Sequence, residues 1–112
     1  MSDAASDLVI VGGGLAGLVA GARASELGLA VTVLERGTDH NYPCNTRWSG
    51  GVIHIAYTDI TSPPETLRSV IKRDTQGKAD ASQTDAVSAN GARFIDWLRG
   101  QGSTFVRTEV DW

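Results

Sequence analysis

The chain has 112 residues, with 13 acidic and 10 basic side chains and a formal net charge of −3, so it is at most one ordinary soluble domain. This charge disfavours nucleic acid and membrane surfaces as partners, because binding to either requires clustered basic side chains. The single cysteine, Cys44, excludes an internal disulfide and an acidic N-terminus disfavours an export signal, which together predict a cytoplasmic protein.

The first third of the sequence predicts a parallel βαβ unit over residues 7–36. Residues 8–11 are a short run rich in β-branched side chains, which is typical of a buried parallel strand. Residues 15–27 carry apolar side chains near helical spacing, and Gly28 is placed to end that helix. Residues 30–34 form a second β-branched run, so we expect two parallel strands joined by a helical crossover.

The remainder of the chain predicts a loop and two further helices. The loop covers residues 37–60 and opens with a polar, turn-prone stretch. Ser62 and Glu65 have the spacing of a capping box, with proline at the first helical position, and predict a helix over about 63–76. Apolar side chains on one face predict another helix over about 82–100, and residues 103–107 resemble the start of a strand.

A glycine pattern links the first strand to the first helix. Gly12, Gly14 and Gly17 form G-x-G-x-x-G in the context that dinucleotide binding requires, after a strand and at the start of a helix. The first glycine permits a tight turn, the second lets backbone approach a pyrophosphate, and the third lets helix and sheet pack closely. The alternative is an ordinary glycine-rich turn of another α/β fold.

An acidic residue, Glu35, ends the second predicted strand. In a dinucleotide-binding unit this carboxylate would accept hydrogen bonds from the ribose hydroxyls, and it disfavours the 2′-phosphate of NADP. The helix N-terminus would offer free amides to the phosphates. The residues predicted to bind the dinucleotide are Gly12, Gly13, Gly14, Leu15, Ala16, Gly17, Glu35 and Arg36.

Two further glycines, Gly21 and Gly28, extend the pattern along the helix and into the turn that follows it. We expect Gly21 on the face that meets the sheet. The extended ladder, followed by a strand that ends in Glu, resembles the FAD-binding signature of flavoproteins with two dinucleotide domains. This resemblance implies FAD rather than NAD as the cofactor.

A second motif, "NTRWSGG" at residues 45–51, resembles the flavin-contacting segment of the fumarate reductase and succinate dehydrogenase flavoprotein family, including its members related to 3-ketosteroid dehydrogenases. An ordinary Ser-Gly-Gly loop is the alternative. The later helices are also similar to that family, so the resemblance covers essentially the whole chain and implies the N-terminal part of a member. It implies that pyrophosphate and flavin are contacted by Asn45, Thr46, Ser49, Gly50 and Gly51.

The sequence departs from that family where succinate dehydrogenase flavoproteins carry a histidine for covalent flavin attachment. Cys44 stands there instead, and we expect an idle thiol rather than a thioether. His40 and His54 have no partners at metal-ligand spacing, so we predict no metal site. Arg47 and Tyr57 are polar groups near the expected flavin, but we assign no catalytic residue.

These features predict an incomplete Rossmann-like FAD-binding βαβ unit of α/β class. Two parallel strands leave backbone groups unpaired on both edges, and the doubly wound order places the first strand centrally. We therefore expect a larger partner chain to supply the missing strands, flavin contacts and substrate domain. The resemblance implies a dehydrogenase or ene-reductase acting on a carbon–carbon bond next to a carbonyl or carboxylate; an amine or alcohol oxidase and a non-catalytic cofactor-binding fragment remain alternatives.

Overall fold

The computed structural model describes residues 5–107, and the chain divides between Val52 and Ile53 into two compact units. The first unit has α/β structure, with a two-stranded parallel sheet in the order β1–β2. The second unit is helical. The first unit contains β1 (Leu8–Val11), α1 (Leu15–Glu26), β2 (Val31–Leu34) and α2 (Asn45–Trp48); the second contains α3 (Pro64–Asp74) and α4 (Ala81–Gly100).

The parallel pairing of β1 and β2 confirms the predicted βαβ order. Leu8 lies opposite Val31 and Val11 lies opposite Leu34 in the ladder. The pairing continues one residue further, where the Gly12 amide donates to the Leu34 carbonyl at 2.7 Å. Residues 12–14 connect β1 to α1, and we call them the glycine turn. The sheet therefore fixes the start of this turn relative to the end of β2.

Helix α1 lies against the sheet through Gly21, on the predicted face. A Cβ atom at Gly21 would lie 3.3 Å from Cγ2 of Val33 and 3.5 Å from Cδ1 of Ile10. The absence of a side chain thus brings helix and sheet into close contact. Helix α1 ends before Gly28, whose φ of +85° is in the left-handed region that favours glycine.

The prediction that β1 is buried is wrong within this chain. Val9 is 54% exposed, Val11 85% and Leu34 51%. Side chains alternate between the two faces of a sheet, so Ile10 and Val33 face α1 while Val9, Val11 and Leu34 face the other side. Helix α1 covers only one face, and the apolar side chains of the second face stay exposed.

The second unit has a core of large side chains between its two helices. Leu67 is fully buried, and Val70 and Ile95 are nearly so. Helix α4 also approaches residue 60 closely, because a Cβ atom at Gly91 would lie 2.5 Å from the Ile60 carbonyl oxygen. Asp80 caps α4, accepting a hydrogen bond from the Gln83 amide at 2.9 Å.

Helix α3 was predicted, but the prediction of a capping box at its start is wrong. The N-cap is Pro63, without a side-chain hydrogen bond, and Pro64 is the first helical residue. A capping box from Ser62 would need Pro63 in helical conformation, and a following proline disfavours that conformation. Pro63 has φ −51° and ψ 141°, so the helix begins one residue later than the motif requires.

Two segments differ from their predicted structure. Residues 103–107 form no strand, since they pair with no strand within residues 5–107; the Ser103 amide instead bonds back to the Leu98 carbonyl. The predicted loop of residues 37–60 contains α2 and, in the second unit, an antiparallel bridge between Ile55 and Thr58. Among the described residues, no helix has the length and apolar character needed to cross a membrane.

Candidate dinucleotide-binding site

The glycine turn between β1 and α1 has a shape that side chains would not permit. Gly12 has φ +105°, which L-residues rarely adopt. A Cβ atom at Gly17 would lie only 2.0 Å from the Gly12 carbonyl oxygen. The first turn of α1 therefore rests directly on the backbone of the turn, as the third glycine of the motif predicts.

The first turn of α1 presents backbone donors at its N-terminus. The Leu15 amide donates to Oγ1 of Thr46 at 3.0 Å. For the next two amides, those of Ala16 and Gly17, residues 5–107 provide no acceptor. Such amides and the positive end of the helix dipole favour an anion.

Glu35 holds the glycine turn at the end of β2. Its Oε2 atom accepts a hydrogen bond from the Gly13 amide at 2.8 Å, and its Oε1 atom accepts one from the Gly37 amide at 2.9 Å. The Gly13 bond, followed by the Gly37 bond, holds the pKa of the Glu35 carboxyl below its ordinary value of 4.5, against a smaller opposing effect of desolvation. Because its pKa is lowered, Glu35 is ionised at neutral pH. A carboxylate has about four acceptor positions, so Glu35 can accept further hydrogen bonds.

A shallow groove of about 270 Å³ lies at the carboxyl ends of the two strands. Pockets for drug-sized ligands typically have about 300–1,000 Å³, so this unit encloses only part of a dinucleotide. Its position matches the place where open parallel sheets bind ligands. The residues that line it are Val11, Gly12, Gly14, Leu34, Glu35, Arg36, Pro43 and Cys44.

Among the predicted contact residues of the motif at 45–51, Thr46 is the one that reaches the glycine turn and the start of α1 within the described chain. It lies on α2 and accepts the bond from the Leu15 amide described above. Ser49 instead donates its hydroxyl to the Thr46 carbonyl at 2.8 Å, within its own turn. Gly50 and Gly51 have φ +71° and +74°, so they are needed for the backbone conformation. In the described chain no hydrogen bond joins Ser49, Gly50 or Gly51 to the glycine turn, and Asn45 is the exposed first residue of α2.

Sequence reasoning missed Tyr42. Its hydroxyl donates to the Gly13 carbonyl at 2.6 Å, across a long stretch of sequence. The guanidinium of Arg47 lies 5.9 Å from the centroid of the Tyr42 ring and donates to the His40 carbonyl at 2.8 Å. The signal that could have identified Tyr42 is a lone aromatic residue in an otherwise polar, turn-prone stretch. We call residues 37–47 the strap.

The remaining candidates have no assigned chemistry. Within residues 5–107 no group of His, Cys, Asp and Glu side chains is arranged to hold a metal ion. Cys44 is half-buried at the groove and precedes the first residue of α2. In the second unit, Tyr57 stacks on His54 with ring centroids 5.0 Å apart. Arg47 is part of the strap.

The geometry agrees with the comparisons to known proteins. The family described as FAD binding domain matches residues 7–112. The chain belongs to this family, which is that of the fumarate reductase and succinate dehydrogenase flavoproteins. Its cofactor is FAD.

One curated relative is the 3-oxo-5-alpha-steroid 4-dehydrogenase of Comamonas testosteroni. It is 30% identical over 110 residues, an alignment that covers 93% of this chain and 20% of the relative. The chain thus spans about a fifth of the length of the curated relative it matches. No solved structure matches the chain. Together with the family match, this relative supports a flavin oxidoreductase class for the chain.

The residues of the glycine turn fit part of FAD. A Cβ atom at Gly17 would prevent the close contact between the turn and α1. The first-turn amides of α1 supply donors for phosphate. Glu35 supplies a carboxylate with free acceptor positions. These are the chemical groups that an adenosine diphosphate moiety requires. The same groove has no second carboxylate among its lining residues.

Proposed function

We propose that this chain is the FAD-binding part of a flavin-dependent oxidoreductase that acts on a carbon–carbon bond next to a carbonyl or carboxylate. The observation that carries the proposal is the linked pair of groups at the strand ends. The Glu35 carboxylate holds the Gly13 amide at 2.8 Å, next to a helix N-terminus with unpaired amides. A carboxylate suited to ribose hydroxyls and amides suited to phosphate thereby lie side by side.

Each part of the site has a proposed role. The amides of the glycine turn and the first turn of α1 would bind the pyrophosphate, with the Thr46 hydroxyl beside them. Glu35 would accept hydrogen bonds from the ribose hydroxyls and repel a 2′-phosphate. The proposed cofactor contacts are Gly12, Gly13, Gly14, Leu15, Ala16, Gly17, Glu35, Arg36, Asn45, Thr46, Ser49, Gly50 and Gly51.

The chain's own contribution to the reaction is binding and orientation. When bound, FAD supplies hydride exchange between its isoalloxazine ring and a substrate carbon. The glycine turn fixes the cofactor's diphosphate end, which is one requirement for holding the reactive ring in place. We assign no proton-transferring residue to this chain.

For the substrate we propose a 3-oxo steroid or a molecule of similar chemistry. The support is the name of the relative, a 3-oxo-5-alpha-steroid 4-dehydrogenase, and its 30% identity over 110 residues. A carbonyl next to the reacting bond acidifies the neighbouring carbon, which suits removal of a hydride and a proton from adjacent positions.

We further propose that a partner chain completes a Rossmann-like sheet and supplies the substrate domain. Two observations support this. Within residues 5–107, β1 and β2 pair only with each other, which leaves an open edge on each strand. The face of the sheet opposite α1 carries Val9, Val11 and Leu34, each at least half exposed. An uncovered face and two open edges are unfavourable in water.

The test combines flavin retention with reduction. We expect the assembly purified from cells to show a flavin absorbance band that bleaches anaerobically when a 3-oxo steroid is added. In titrations with the chain, FAD and ADP should bind, while FMN and NADP should bind more weakly. Native mass spectrometry should detect a second chain. Absence of FAD would contradict the cofactor role, and a stable flavin band would contradict the proposed substrate class.

A further inference from the structure

The Tyr42 side chain contacts the glycine turn at Gly13, the residue whose amide Glu35 binds. Tyr42 is half-buried, and its hydroxyl donates to the Gly13 carbonyl oxygen at 2.6 Å, at the short end of the range for such bonds. The Gly37 backbone packs closely against Tyr42, since a Cβ atom at Gly37 would lie 2.0 Å from the Tyr42 Cβ. This contact supports the tyrosine from the start of the strap.

Gly13 is consequently held on both of its peptide planes. Its amide belongs to the peptide that joins Gly12 to Gly13, and Glu35 holds it at 2.8 Å. Its carbonyl belongs to the next peptide, which joins Gly13 to Gly14, and Tyr42 holds it. Each of the two peptide planes is therefore oriented by a side-chain hydrogen bond.

The second peptide matters because it carries the Gly14 amide. All peptides of the described chain are trans, so the Gly13 carbonyl and the Gly14 N–H point in opposite directions. With the carbonyl bound to Tyr42, the Gly14 amide points away from the tyrosine. A peptide between two glycines can rotate readily, because neither residue has a Cβ atom to restrict φ and ψ. A rotated peptide would place an oxygen where the amide donor lies.

We propose that Tyr42 is a positioning residue for the phosphate-binding amides, which holds the Gly13–Gly14 peptide in the orientation that presents its N–H to the dinucleotide. This inference rests on the proposed function. Arg47 supports the tyrosine from α2, with its guanidinium 5.9 Å from the ring centroid and a bond to the His40 carbonyl. The strap thus links the conformation of the loop after β2 to the glycine turn.

The test is Tyr42→Phe in the full chain, which keeps the ring and removes the hydroxyl. We expect the dissociation constants of ADP and FAD to rise about three- to tenfold, the effect of one lost hydrogen bond. In nitrogen–proton correlation spectra the Gly14 and Leu15 amides should shift or broaden, since the peptide regains its freedom to rotate. These local changes distinguish positioning from a general loss of stability.

A matched control is Ser6→Ala, which removes another hydroxyl hydrogen bond from the same unit. Ser6 bonds to the Thr32 hydroxyl at 2.6 Å, near the opposite ends of the strands. The Ser6→Ala variant should change neither the affinity for ADP nor the position of the Gly14 amide signal. Urea unfolding of each variant reports stability separately. If Tyr42→Phe does not fold, Arg47→Met loosens the strap from its other end and should weaken ADP binding in the same direction.

The outcomes separate the two proposals. If the purified assembly that contains the wild-type chain binds neither ADP nor FAD, the proposed function is wrong. If that assembly binds them and the Tyr42→Phe assembly binds within twofold with an unchanged Gly14 amide, the proposed role of Tyr42 is overturned while the cofactor site stands. A rise in the dissociation constant together with a localised amide change supports the role.

Discussion

Each of the two units of this chain is stabilised internally by a different kind of contact. In the helical unit, large apolar side chains such as Leu67 and Ile95 are buried between α3 and α4. In the α/β unit, the buried residues among those described are small: Gly13, Gly21 and Ala24. Several of its larger apolar side chains, including Val9 and Val11, remain exposed. The first kind of core depends on side-chain volume, and the second on close approach of backbone.

This difference indicates which unit is built for binding. Glycines that permit close contact also remove apolar volume, so the unit that carries the proposed phosphate cradle contributes little hydrophobic stabilisation of its own. Its geometry depends on hydrogen bonds such as those of Glu35 to two amides. Its exposed sheet face is consistent with the proposed covering by further polypeptide.

The sharpest contrast between the units should come from Leu67→Ala and Val11→Ala. Leu67 is fully buried, so its truncation should lower the free energy of unfolding of the helical unit by about 2–5 kcal/mol. Val11 is 85% exposed, and its truncation should change stability by less than about 0.5 kcal/mol. Urea unfolding followed by circular dichroism measures both. A large loss for Val11→Ala would show that this sheet face is covered in solution.

A smaller effect on stability, but a direct one on binding, is expected from Gly17→Ala. The new Cβ atom would overlap the Gly12 carbonyl oxygen at 2.0 Å, so either the turn or α1 must shift. We expect the dissociation constant of FAD to rise roughly ten- to a hundredfold, as for an overpacked contact. Gly100→Ala is the control, because a Cβ atom there meets nothing within 4 Å. Unchanged FAD affinity in Gly17→Ala would contradict the cradle.

The smallest effect is expected from Glu35→Gln, read out as a pH profile. The pKa of Glu35 is lowered, so its carboxylate supports the turn fully above its ordinary value of 4.5, and this support is lost as the pH falls through the lowered value. Glutamine can accept from one amide but opposes the other with its own N–H groups. We expect FAD affinity to fall about three- to tenfold at neutral pH, and the acid-dependent loss expected of wild type to be absent.

The control for this pH profile is Asp80→Asn in the helical unit. The pKa of Asp80 is also lowered, first by the Ser82 hydroxyl and then by the Gln83 amide. Asparagine caps helices as well as aspartate does, so FAD affinity and its pH profile should match those of wild type. A Glu35→Gln profile with the same acid-dependent loss as wild type would assign that loss to another group.

Much of the α/β unit was predictable from local sequence. β-branched runs and glycine spacing gave both strands, α1 and the face of Gly21, because these depend on short-range preferences. The capping box at Ser62 was predicted wrongly because Pro64 disfavours the helical conformation that the motif requires of Pro63. The strand expected at residues 103–107 required a pairing partner, which local sequence does not specify.

The sequence by itself determined the position of the turn, the helix that follows it and the acidic residue at the end of β2, because glycine φ angles and strand propensity act over a few residues. Only the tertiary structure decided that Glu35 binds the Gly13 amide, that Tyr42 binds the Gly13 carbonyl, and that Thr46 reaches the Leu15 amide. Those contacts join residues far apart in sequence. The Tyr42 and Thr46 contacts arise from the folding of the strap over the turn, and the Glu35 contact from the pairing of β1 with β2, neither of which a short-range pattern encodes.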